Sequence, residues 1–117
     1  MTLLQRRYVD PLLDLYRRTP GTTGHIRPAD RRLAVSLASR GIPLQTVRDA
    51  LLLAVARRTL RPDQAPPLPP IRSLHYILPI LDELLVDPPH PDYFHYLHRR
   101  LASLAPALVS PIDHQFP

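Results

Sequence analysis

Cysteine is absent from this 117-residue chain, which excludes disulfides, a thiolate nucleophile and any cysteine-based zinc site. Lysine is absent too, and all fifteen basic residues are arginine. A GC-rich genome is enough to account for that choice, although arginine also presents a planar fork suited to phosphate. Glutamate occurs once, at Glu83, and glycine three times. No glycine-rich phosphate loop follows a strand, no Gly-x-Ser-x-Gly elbow exists, and no Ser/His/Asp grouping stands out. Asp10 and Asp14 share a helix face, but Arg17 and Arg18 are spaced to satisfy Asp14. The chain is expected to be no enzyme and to carry no cofactor or metal. No apolar run approaches the roughly 20 residues that span a bilayer. The first residues show no hydrophobic stretch of signal-peptide length ahead of a small-residue cleavage site. The expectation is a soluble, cytoplasmic protein without a membrane partner.

What the chain does have is proline and arginine. Sixteen prolines stand between apolar periodic segments, where they start and stop helices rather than form a repeat. A hydrophobic content of 44% is enough for one core, so residues 1–105 are expected to form a single helical domain and 106–117 a loosely packed or disordered tail. The charge is uneven. Residues 1–61 hold twelve arginines against four aspartates, and residues 62–117 hold three arginines against six carboxylates. Such asymmetry points to an acidic partner for the first half, most simply nucleic acid. An arginine-rich surface that is merely solvated is the alternative.

The stretch Pro69–Leu85 organises the rest. Ile77, Ile80, Leu81, Leu84 and Leu85 make the stripe of a helix that buries one face. Ser73 is the candidate N-cap, and Pro79 predicts a kink or a 3₁₀ start because it lacks a donor and crowds the preceding turn. Arg72, His75 and Tyr76 fall at the exposed entrance. Upstream, a first helix is expected over Leu3–Arg18, with Tyr8, Val9, Leu12, Leu13, Leu15 and Tyr16 as its apolar face. Asp10-Pro11 marks either a helix start or a proline inside one longer helix. A second helix should span Pro28 to Arg40 and stop at Gly41, with Arg27, Arg31 and Arg32 crowding its first turn against the dipole, a mild pointer to an external anion. A third, from Pro43 or Leu44 to Arg58 or Leu60, is apolar nearly all round through Leu52 and Leu53 and should be central. Arg57, Arg58 and Arg61 gather at its C-terminal end, where they suit the dipole.

Residues 62–70 read as a stiff, polyproline-II-like arm, either a rigid connector or a docking ligand for an SH3-type domain. A last helix is expected from Asp92 to Leu104 on the stripe Tyr93, Leu97, Leu101 and Leu104. The prediction is therefore an all-α, compact bundle of about five helices with proline-rich connections. Arg40-Gly41-Ile42-Pro43 invites a helix-turn-helix reading. Leu37 stands where a small residue is needed, and Ser36 and Arg40 where apolar ones are, so an ordinary αα-hairpin fits better. His95 and His98 have ligand spacing but no third partner, and Arg99 and Arg100 beside them would repel a cation.

Tyr76-Ile77-Leu78-Pro79-Ile80-Leu81-Asp82-Glu83-Leu84 resembles the Tyr-Ile-x-x-Ile-Leu-x-x-Trp segment of the C-terminal helical domain of the DnaD family of bacterial and phage replication-initiation (primosomal) proteins. Gly41 to Leu51 is similar to that family's preceding helix entry, and the likeness covers about residues 28–85. Leu84 replaces the family's tryptophan, and the proline arm lengthens the connection. The resemblance implies binding to DNA, especially single strands, and contact with replication or helicase-loading partners. Tyr76 is then the matched functional position, while Ile80 and Leu81 are structural.

These readings converge on an expected nucleic-acid surface of Arg27, Arg31, Arg48, Arg57, Arg58, Arg61, Arg72, His75 and Tyr76. The expected partners are single- or double-stranded DNA and a replication or mobile-element protein. Two rivals stand beside this: a helical protein–protein adaptor without nucleic-acid binding, and a homodimer that buries the surplus leucines of 51–53.

Overall fold

The computed structural model describes residues 2–109. Its elements are α1 (Leu3–Arg18), α2 (Pro28–Ser39), α3 (Leu44–Thr59), a 3₁₀ turn (Leu74–Ile77), α4 (Leu78–Val86), α5 (Pro91–Leu101) and α6 (Pro106–Val109). The protein is all-α. The one β-type pairing among the described residues is an isolated bridge between Thr22 and Ile71.

α1 begins at Thr2, whose hydroxyl accepts the Gln5 N–H while the Gln5 amide accepts the Thr2 N–H, a capping box. Pro11 lies inside one continuous helix. It sits on the exposed side, so the missing hydrogen bond falls where water can serve the carbonyl of Arg7 instead. Val9, Leu12, Leu13, Leu15 and Tyr16 are buried as the periodicity predicts. The Tyr8 and Tyr16 hydroxyls are buried with no hydrogen-bond partner among the described residues. Burial pushes the Tyr8 phenol up to about 12 against the lowering pull of Arg40.

α2 ends in a Schellman turn. Gly41, at φ +71°, lets its N–H reach Ala38 and the Ile42 N–H reach Leu37, at 3.1 and 3.2 Å. The extended backbone of Pro43 follows and sends α3 away from α2. The two helices do not pack along each other; α2 lies on α1 and the 3₁₀ turn. The expected αα-hairpin is therefore corrected. A tight, proline-stiffened corner has replaced a turn that would fold α3 back.

α3 is the central helix. Val47 and all residues 50–56 are at most 3% exposed, because α1, α4, α5 and α6 surround them. Burying each of its leucines contributes about 1.5–3 kcal/mol. Leu51, Leu52 and Leu53 are thus covered within the chain itself, and no leucine surplus remains there for a dimer to bury.

After α3 the chain turns at 62–65, with the Ala65 N–H on the Pro62 carbonyl at 2.9 Å, and has no regular secondary structure over 66–70. The arm is shorter than expected because Asp63 and Gln64 carry no proline constraint. Ile71 then bonds both ways to the α1–α2 loop, its N–H on Gly21 at 2.7 Å and its carbonyl on the Thr23 N–H at 3.1 Å. Ser73 caps the 3₁₀ turn through the His75 N–H, and Pro79 sits in the first turn of α4. The proline was thus accommodated as a 3₁₀ start. Leu85, expected in the stripe, is 43% exposed, since α4 ends one residue later and its last turn overhangs the core.

α5 stops at Leu101 rather than Leu104. The Leu104 and Ala105 N–H groups fold back on the Leu101 carbonyl, and Pro106 starts a new turn instead of continuing the old one. Tyr93 and Leu104, expected inside, are 41% and 44% exposed. Residues 106–109, expected as loose tail, form α6, with Leu108 1% exposed and packed on α3 and α5. The rest of that expected tail lies outside the described residues.

Candidate nucleic-acid interface

The arginines at the end of α3 meet the 3₁₀ turn and α5. Arg57 grips Glu83 of α4 with both guanidinium nitrogens, each at 2.9 Å. That bidentate pair lowers the Glu83 carboxyl below its usual range. It also raises the Arg57 guanidinium, with smaller contributions from Tyr93 and Tyr76 nearby. Arg58 lies 5.7 Å over the Tyr76 ring centroid and donates to the Pro69 carbonyl at 2.6 Å. It also crosses Gly21 so closely that a Cβ there would stand 3.2 Å from its Nε, at a φ of +92°. The positive φ favours glycine at 21, whereas the flexible guanidinium could shift by the few tenths of an ångström a Cβ would need.

On α5, Tyr93 and Tyr96 stack with centroids 6.3 Å apart at 25°. Arg100 lies 5.7 Å over Tyr96 and donates to its hydroxyl at 3.0 Å. Two groups of cations and rings result, Arg58 with Tyr76 and Tyr93–Tyr96 with Arg100, and Arg57 feels the charge of both Tyr76 and Tyr93. The three tyrosines are 39–43% exposed, so each offers part of its surface to solvent. Such a surface can stack planar groups while holding anions between them.

The structure brings Arg57, Arg58 and Tyr76 together, with Arg61 close behind, donating to the Pro66 carbonyl at 3.0 Å. Arg72 and His75 are exposed beside them, and the His75 ring lies 3.0 Å from the Ser73 hydroxyl. The Arg27 backbone, not its guanidinium, is tied to the 3₁₀ turn through Asp30, whose carboxylate accepts both the Arg27 and Leu74 backbone N–H groups. Arg31 does not join them; it faces Asp10 of α1 at 3.6 Å. Of the three arginines at the first turn of α2, Arg31 therefore has a carboxylate within the chain, while Asp30 serves backbone donors.

Arg48 is a correction. It is 4% exposed and donates to the Leu108 and Ala107 carbonyls at 2.7 and 3.4 Å. It fastens α6 to α3 and is not presented to a phosphate. Sequence reasoning missed Tyr93, Tyr96 and Arg100. The Tyr96-to-Arg100 spacing of four was a readable sign, but Tyr93 had been assigned to the core.

A concavity of about 310 Å³ lies between α3 and α5, lined by Gln45, Asp49, Phe94, His95 and His98 with Pro89 and Pro91. Among the described residues no three metal-capable side chains gather. Burial raises the Asp49 carboxyl, opposed by the Gln45 hydrogen bond and by His98 and Arg48. A raised folded-state value means stability is complete below the ordinary 3.8 and is lost as pH climbs through the folded value. Asp49→Asn, which keeps the acceptor for Gln45, should raise the urea midpoint at pH 7. The gain should vanish as pH falls toward 3.8. A gain that persists in acid would contradict this origin.

The fold and this surface define an all-α protein with an exposed arginine–tyrosine face and, among the described residues, no helix long and apolar enough to cross a membrane. No family model, curated protein or solved structure matches the chain.

Proposed function

We propose that this is a cytoplasmic, non-enzymatic DNA-associated protein that holds single strands across the Arg58–Tyr76–Arg57–Tyr93–Tyr96–Arg100 face. The observation that carries the reading is the alternation of exposed rings and guanidinium groups on elements far apart in sequence. Bases stack on tyrosine without sequence readout, and arginines meet the phosphates. The resemblance of 41–51 and 76–84 to the DnaD-family helical domain supports the finer role of an accessory factor in replication initiation. Tyr76, the position matched there, belongs to this face beside Arg58.

Fluorescence anisotropy with labelled single-stranded and duplex oligonucleotides tests it. The single strand should bind more tightly, with log K falling against log salt by about 0.7 per phosphate contacted. No binding at micromolar protein in low salt, or binding indifferent to salt, would refute the proposal. The helical adaptor would then be favoured, on the strength of Leu85 and Val86, 43% and 86% exposed at the end of α4.

A further inference from the structure

Residues 66–70 are all exposed, and the nucleic-acid face touches them only through Arg58 on the Pro69 carbonyl. Proline fixes φ near −65° at four of these five positions. Ala65, Pro66, Leu68 and Pro69 each precede a proline, which drives them to extended ψ. These constraints favour a left-handed polyproline-II segment, which has three residues per turn. Side chains three apart share an edge. Leu68 shares its edge with half-buried Ala65 and buried Ile71, so that edge leans on the body of the protein. The other two edges, Pro66 with Pro69 and Pro67 with Pro70, stand in solvent.

Two arginine side chains hold the tract in this form. Arg61 bonds the Pro66 carbonyl and Arg58 the Pro69 carbonyl, at 3.0 and 2.6 Å. These carbonyls are one polyproline turn apart and point to the same side. Ile71 anchors the far end through its bonds to Gly21 and Thr23. A mere connector needs no such exposure of five apolar residues. Arg72, exposed, follows two positions after Pro70 and adds a cation at one end.

We infer that this arm is a preformed ligand for an SH3-type domain, one with an aromatic groove for paired prolines and an acidic rim for arginine. Pro66-Pro67 and Pro69-Pro70 fill the two groove pockets, and Arg72 meets the rim in the order Pro67-x-x-Pro70-x-Arg72. Because the body of the protein already holds the tract, little ordering cost remains on binding.

The test titrates the full chain with an SH3 domain of acidic rim, followed by calorimetry and by chemical shifts of the domain. Binding is expected, with shifts confined to the aromatic groove. It should weaken at least tenfold in Pro67→Ala/Pro70→Ala and several-fold in Arg72→Ala, each shown folded by circular dichroism. Tyr93→Ala, in the nucleic-acid face, should leave it unchanged, so the two surfaces are tested separately. No response at millimolar domain overturns the inference, as does binding that survives the double proline variant.

Discussion

Replacing Asp30 with alanine should cost about 3–5 kcal/mol and lower the melting temperature by roughly 12–20 °C. Asp30 is fully buried. One carboxylate oxygen accepts the Arg27 N–H at 2.9 Å, and the other accepts the Leu74 N–H at 2.9 Å and the Ser73 hydroxyl at 3.2 Å. This single side chain therefore ties the start of α2 to the start of the 3₁₀ turn. Alanine leaves two backbone donors without an acceptor. Leu74 is itself buried, so water cannot take over cheaply, and each orphaned donor costs about 1–3 kcal/mol. Asparagine should recover only part of the loss, because its NH₂ must face one of the donors. Thermal unfolding followed by circular dichroism checks both variants. A shift of only a degree or two for alanine would show that the corner is not held by this carboxylate.

Tyr76→Ala/Tyr93→Ala should weaken single-strand binding at least about thirtyfold, since each stacked base is worth roughly 1–3 kcal/mol. Both rings are partly exposed, at 43% and 41%, so the melting temperature should fall far less than in Asp30→Ala. The dependence on salt should also stay the same, because no cation is removed. Arg58→Ala/Arg100→Ala should behave in the opposite way and flatten the salt slope by about 1.4 if each arginine contacts one phosphate. Arg57→Ala should have a smaller effect than either, as Glu83 already claims both of its outer nitrogens. Anisotropy titrations at several salt concentrations separate these outcomes. A double tyrosine variant that binds like the parent would remove stacking from the proposal and with it the case for single strands.

The arginines illustrate how differently one residue type can be used. Arg48 and Arg58 lie in the same helix, α3, and are equally basic in sequence. Arg48 is buried beneath α6 and serves its carbonyls, whereas Arg58 lies across Tyr76 and the proline arm. Composition could count both as phosphate contacts because charge is a property of the side chain. Presentation is a property of what packs over it.

Local physics was legible along the chain. The all-round apolar character of residues 50–56 placed α3 at the centre, Ser73 and Pro79 announced a 3₁₀ entry into α4, and Gly41 ended α2. Each of these depends on neighbours within a few residues: helix period, capping and the φ and donor constraints of proline and glycine. Tertiary packing alone decided the rest. It turned α3 away from α2, folded Pro106–Val109 into the core, and pushed Tyr93 out beside Tyr96. It also brought Arg57 and Arg58 of α3 to Tyr76 of the 3₁₀ turn, and set Asp30 beneath Leu74 across a gap of 44 residues. Contacts of that range depend on which surfaces meet, and periodicity along a single helix carries no information about its partner.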